Sequence, residues 1–204
     1  MLLLSAVEQE PRSLAGLVGA TGIARPTAHR LAVALEAHGM LRRDDDGRFL
    51  LGPRAIALGR AAAGAYPLRD AAMPALRSLR DATGESVQLY VRDGERRICL
   101  ASLESPHGLR TIVEAGASLP LDLGSAGSVL LEEPAALRRG WAESVGQREA
   151  GVASVSAPVL DGDRVIAAVG VSGPIERLTR TPGKRYGVAV TAAARQIERA
   201  LRGE

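Results

Sequence analysis

The chain of 204 residues has one cysteine, three histidines and a single lysine, and it has no apolar run of membrane-spanning length. Each scarcity excludes something. A lone Cys99 rules out an intramolecular disulfide framework and leaves no cysteine cluster for a structural zinc, so a buried, reduced thiol is expected. The opening MLLLSAVEQEP is too short and turns acidic too soon for a signal peptide or a membrane helix, which predicts a cytoplasmic protein without a membrane partner. With His29 and His38 in the N-terminal third, only His107, in the loop-like SPHG, remains for a Ser-His or Cys-His arrangement. There is no HExxH, nucleophile elbow or phosphate loop: LGSAGS lacks the lysine of a P-loop, and GLVGATG has the wrong glycine spacing for a dinucleotide site. Catalysis is therefore a thin reading, and no cofactor or metal is implied.

What the chain does have is 46% apolar content, ample for packed cores, and a charge pattern more informative than its total. Basic residues exceed acidic ones by only 26 to 23, yet residues 25–60 carry Arg25, Arg30, Arg42, Arg43, Arg48, Arg54 and Arg60 against Glu36 and Asp44 to Asp46. Every basic residue but Lys184 is arginine, a usage that fits a GC-rich genome and carries no functional weight. Arginine still forks onto phosphate whatever its codon origin.

Helical periodicity runs through LLLSAVEQ, SLAGLVGATG and ARPTAHRLAVALEAHG. Ser13 is placed to cap the second helix, Gly22 and Gly39 to end the second and third, and Ala15, Gly16, Gly19 and Ala20 to let those two helices approach closely. MLRRDDDGRFLLG then reads as two short strands around an Asp46-Gly47 turn. Three helices and a hairpin is the order of a winged helix-turn-helix. On the third helix Ala28, Leu31, Leu35 and Ala32 or Ala34 are expected inward, leaving Arg25, Thr27, His29, Arg30 and Val33 outward. Such a helix offers its N-terminal residues to base edges in the major groove, and arginine, threonine and histidine are suited to read them. Arg42, Arg43 and Arg48 on the hairpin would meet phosphate or the minor groove. The bland alternative is that these charges only solvate a helix face; the ordered conjunction of elements argues for double-stranded DNA.

PRAIALGRAAAGAY reads as a linker helix, with proline at its first position. Beyond it SVQLYVRD and RICLASL flank a turn at DGER, and GVASVSAPVL, DGD and RVIAAVGVSG repeat the pattern. Helices are expected over 68–82 and 184–202, the last with Val190, Ala194, Ile197 and Leu201 on one stripe. The fold class is thus α+β, organised as residues 1–52 (winged helix), 53–66 (linker helix) and 67–204 (antiparallel sheet with helices). Ser154, Ser156 and Ser172 alternate on neighbouring predicted strands, with Gln88 and Tyr90 on another, so their polar groups could converge on one sheet face or simply meet solvent.

The run LAGLVGATGIARPTAHRLAVALEAHGMLRRDDDGRFLLGPR closely resembles the DNA-binding domain of IclR-type (isocitrate lyase regulator) transcriptional regulators. The resemblance continues through GESVQLY, SLPLDLGSAGSVLL, RRGWAESVGQREAGVASVSAPV and AAVGVSGPIERL, and is most similar in flavour to actinobacterial members that control amino-acid metabolism. It implies a GAF-like effector domain, a homodimer formed through the N-terminal part or a tetramer, a pseudo-palindromic DNA operator, and an amino acid or 2-oxo or 2-hydroxy acid as effector. It places backbone contacts to that effector at Ser125, Ala126 and Gly127, and strand positions of the site at Ser154 and Ser172. Two departures, Ser144 after GWAE in place of an aspartate and Gly170 in place of a strand serine, imply a roomier site or a different ligand. A third is EEPAAL, which stands where the family has a further helix and loop between SVLL and RRGWA. The competing classes are a binding or protein-interaction module without DNA, and an enzyme.

Overall fold

In the N-terminal part a serine cap opens the second helix, and left-handed glycines follow the second and third. The computed structural model describes residues 1–8 and 10–204, apart from the side chains of residues 63 and 64, and divides into two units, Met1–Ala65 and Tyr66–Glu204. The first contains α1 (Leu2–Ala6), α2 (Leu14–Thr21), α3 (Arg25–Ala37), β1 (Leu41–Arg43), β2 (Phe49–Leu51) and α4 (Pro53–Gly64). The first expected helix is realised as α1; its last residue, Gln9, lies outside the described residues. Ser13 Oγ accepts from the Gly16 N–H at 3.2 Å, and Gly22, at φ 68°, closes α2.

Leu3, Val7, Leu17, Ala28, Ala32, Leu41 and Phe49 form the core of this unit. Its interior differs from the expectation in two ways. Leu31 is 42% exposed, because Ala28, Ala32 and the half-buried Leu35 already fill the inner stripe of α3. α2 does pack against α3, but Ala15, Gly19 and Ala20 are exposed, and α2 meets the core through Leu17. The β1–β2 hairpin pairs Leu41 with Leu51 and Arg43 with Phe49, and Arg12 adds a rung by exchanging both backbone hydrogen bonds with Phe49 at 2.9 and 2.7 Å. At its base a side chain on Gly52 would run into the Gly39 carbonyl, so glycine is obligatory there.

The second unit runs α5 (Pro67–Thr83), β3 (Ser86–Asp93), β4 (Arg96–Leu103), β5 (Ser118–Pro120), α6 (Gly124–Leu130), α7 (Pro134–Arg139), β6 (Ala142–Val145), β7 (Val152–Asp161), β8 (Arg164–Pro174), α8 (Ile175–Leu178) and α9 (Pro182–Arg202). The strands form one antiparallel sheet in the order β5-β4-β3-β8-β7-β6. Alternation gives each face its own partner. Val87 and Leu89 of β3, Val155 and Val159 of β7, and Val169 and Val171 of β8 point at the apolar stripes of α5 and α9. Tyr90, Cys99 and Ala168 point the other way, toward Leu121, Ala126 and Val129 around α6. A bidentate ion pair, Arg177 Nε to Glu85 Oε1 at 2.6 Å and Nη2 to Oε2 at 2.9 Å, ties α8 to the start of β3, with Glu85 buried.

Candidate functional sites: an arginine-bearing helix and a hydroxyl-lined cavity

On α3 Arg25, His29 and Arg30 are exposed and Thr27 is half-buried, so all four expected base-reading residues stand at the surface of the helix's first turns. Pro26 near the helix start fixes the backbone there without losing an intrahelical hydrogen bond. The three hairpin arginines differ. Arg43 pairs with Glu36 at 3.2 Å and lies 4.4 Å over the Phe49 ring, while Arg48 reaches Asp44 at 2.8 Å and Asp46 at 3.0 Å. These acids compete with any phosphate for both residues. Asp44 also accepts the Asp46 and Arg48 backbone N–H groups, which shapes the tip; these hydrogen bonds and the Arg48 charge together outweigh its desolvation and lower its pKa. Among the described residues, Arg25, Arg30 and Arg42 carry no ion pair.

In the second unit the inner row of the sheet toward α6 is polar. Register sets Ser144 opposite Ser154, Ser154 opposite Ser172, and Ser172 opposite Ser86, so four hydroxyls cross four strands in one line. The next row holds Ser156, Gly170 and Gln88. Of these residues Gln88, Ser144, Ser154, Ser156 and Ser172, together with Tyr90, Arg97, Gly124, Ser125, Ala126, Arg148 and Glu149, line a small cavity that opens to solvent. Ser125 Oγ lies 2.8 Å from both Ser154 Oγ and Ser156 Oγ, which links α6 to the sheet through hydroxyls. Ser172 donates to Gln88 Oε1 at 2.9 Å and leaves Gln88 Nε2 buried without a partner.

The geometry thus brings Gln88, Tyr90, Ser125, Ala126, Ser154, Ser156 and Ser172 around one cavity. Gly127 is not among them. A Cβ there would collide with the Leu121 carbonyl, so its missing side chain serves the packing of α6 and not the cavity. Gly170 does not enlarge the site either: the space beside it is taken by Ser156 Oγ. His107 sits near Gly84, away from the cavity lining.

Two arginines of the lining escaped the sequence reading. Arg97 is 3% exposed; its Nη1 donates to the carbonyls of Pro120, at 2.6 Å, and Leu123, and its Nε is buried without a partner. Its guanidinium lies 5.3 Å from the Tyr90 ring. Burial, and then the charge of Arg148, pull its pKa down against the opposing effects of Tyr90 and Asp122. Alternation could not place it, because β4 carries an extra residue at Leu100: Tyr90 pairs with Cys99 but Leu89 with Ala101, which flips the facing of everything before the bulge. Arg148 lies in the β6–β7 turn, where no periodicity exists.

Residues 1–45 match the IclR helix-turn-helix domain, and residues 60–137 and 134–199 match the bacterial transcriptional regulator IclR C-terminal domain. The two pieces of the second match meet at α7, and the chain there runs from α6 to β6 through that single short helix. The chain is 30% identical to the glycerol operon regulatory protein of Streptomyces coelicolor over 236 aligned positions, covering 98% of this chain and 93% of that protein. Two solved structures share its fold. One is an IclR family transcriptional regulator from Brucella abortus (TM-score 0.85, 22% identity, 98% of this chain and 89% of that one). The other is an IclR homologue from Microbacterium hydrocarbonoxydans complexed with 4-hydroxybenzoate (TM-score 0.73, 23% identity, 100% and 97%). With both domain models matched in order along nearly the whole length, a winged helix at one end and a hydroxyl-lined cavity in the other unit, the chain belongs to the IclR family of DNA-binding transcriptional regulators.

Proposed function

We propose that the protein binds a pseudo-palindromic operator as a homodimer or tetramer and that a small acid in the sheet cavity changes its DNA affinity. The observation that carries the DNA half is the cluster of exposed Arg25, His29 and Arg30 with half-buried Thr27 at the start of α3, in the same unit as a hairpin bearing the unpaired Arg42. A two-fold dimer would present two such helices to half-sites one DNA turn apart. Exposed Ile56 and Leu58 on α4 offer apolar surface for the dimer.

The effector half rests on convergent hydroxyls and two arginines in one cavity. Between an amino acid and a 2-oxo or 2-hydroxy acid, the lining favours the latter: Glu149, largely exposed, is the one carboxylate in it that could receive an ammonium. Amino-acid metabolism would then enter through the carbon skeletons of amino acids, and similarity to a Streptomyces regulator speaks for an actinobacterial setting. Ligand and DNA are coupled only if the ligand favours one arrangement of the DNA-binding units over another. A typical coupling of ~1–3 kcal/mol changes operator affinity roughly 5–150-fold.

Footprinting on the region upstream of the protein's own gene, at several salt concentrations, is the test. Protection of a pseudo-palindrome that fades steeply with salt is expected from counterion release. Absence of salt-sensitive protection on any promoter fragment would remove the DNA claim.

A further inference from the structure

We infer that Arg97 and Arg148 make the sheet cavity a site for a small dianion, either a dicarboxylate or a phosphomonoester. The inference rests on the proposed reading of this cavity as the effector site and narrows the chemistry of what it holds.

A buried guanidinium is ordinarily matched by a carboxylate. Glu85 and Arg177 show the usual solution in this same unit. Arg97 does not follow it. Although 3% exposed, it has no ion pair among the described residues; two backbone carbonyls hold Nη1, and Nε is left with nothing. Arg148 lines the same cavity, its side chain 23% exposed, and its nearest acid is Glu149 at 3.8 Å, which is itself 66% exposed. The two arginines stand close enough for the positive charge of Arg148 to bear on Arg97. Two cations thus share one cavity with a single carboxylate at its edge.

The remaining polar atoms point to the same occupant. Gln88 Nε2, on a residue 2% exposed, is a donor without a partner, and its own acceptor oxygen is already taken by Ser172. Free donors therefore outnumber free acceptors, which suits an anion. One carboxylate forks onto one guanidinium and leaves the other uncompensated. A second negative charge on the same small molecule satisfies both, and the size of the cavity keeps that molecule small.

Isothermal titration of the full chain at fixed ionic strength, in a buffer free of phosphate and sulfate, tests this with succinate, methyl phosphate, pyruvate and acetate. At least one of the two dianions is expected to bind ten-fold or more tightly than either monocarboxylate, and which one does so identifies the source of the charge. Arg148→Gln, in the β6–β7 turn, should reduce that preference to near unity. Arg97→Gln should weaken every anion. Ser154→Leu should abolish binding of all of them. Equal affinity for dianions and monocarboxylates, blocked by Ser154→Leu, would overturn the dianion and leave the effector site standing. A dianion preference unchanged in Arg148→Gln would also overturn it. Binding of no acid at all, or binding indifferent to Ser154→Leu, would remove the effector reading together with it.

Discussion

The hydroxyl of Ser156 occupies the space that a side chain on Gly170 would need. The two residues face each other across β7 and β8, and a Cβ at 170 would also sit 2.5 Å from the Val155 carbonyl and 3.0 Å from the Ser156 Cα. Gly170→Ala is therefore expected to destabilise the second unit by ~1–3 kcal/mol, the usual cost of overpacking. A lowered urea midpoint with an unchanged m-value would show it. A wild-type midpoint would mean that the strands separate at no cost.

Ser154 touches both the cavity and Ser125, so Ser154→Leu places a branched apolar group where the hydroxyls meet. Thermal shift with pyruvate and succinate should respond in wild type and be silent in the variant. The unliganded variant should still melt cooperatively, because Ser154 lies outside the apolar cluster that holds α5 and α9. A ligand shift that survives unchanged would place the ligand elsewhere.

Arg30 and Arg42 should fail differently. Arg30→Ala removes a donor from the helix face assigned to base edges and should cost ~1–3 kcal/mol on operator with little change on random duplex. Arg42→Ala should weaken both DNAs alike and lower the salt slope by about one. Arg48, already shared between Asp44 and Asp46, should matter less than Arg42. Fluorescence anisotropy at several salt concentrations separates these outcomes; equal losses on both DNAs for Arg30→Ala would contradict the base contact.

Arg177→Ala leaves the Glu85 carboxylate, 2% exposed, without its bidentate partner. Breaking a fully buried pair costs ~3–5 kcal/mol. Because the Arg177 side chain is 28% exposed, water can partly replace it, and a loss of about 2–3 kcal/mol by chemical denaturation is expected. Stability within error of wild type would mean that water fully replaces the guanidinium.

Cys99 is fully buried, and burial pushes its thiol up to about 12. In the unfolded chain the thiol ionises near its ordinary value of 9.0. The folded state thus holds the proton across the interval in which the unfolded state releases it. Its contribution to stability is complete below about pH 9 and declines as pH rises toward 12. A thiol reagent at pH 8 should label Cys99 only in denaturant. The fall in stability between pH 8 and 10 should be steeper for wild type than for Cys99→Ala; parallel pH profiles would refute the shift.

The sequence by itself determined the elements long enough to show a period. β3, β7 and β8 alternate over eight or more residues, α5 and α9 repeat an apolar stripe over several turns, and Ser13, Gly22 and Gly39 punctuate the first unit. The same alternation put Ser154, Ser156 and Ser172 on one face, and helical spacing placed the arginines of α3 outward. Tertiary structure decided what no period encodes. β5 and β6, with three and four residues, exist only because a neighbouring strand satisfies their backbone. The bulge at Leu100 turned Arg97 into the cavity, a turn without periodicity delivered Arg148, and close backbone approach emptied positions 127 and 170 of side chains. Local pattern specifies which face a residue shares with its neighbours in sequence, while register, bulges and steric contact between distant segments specify what that face meets.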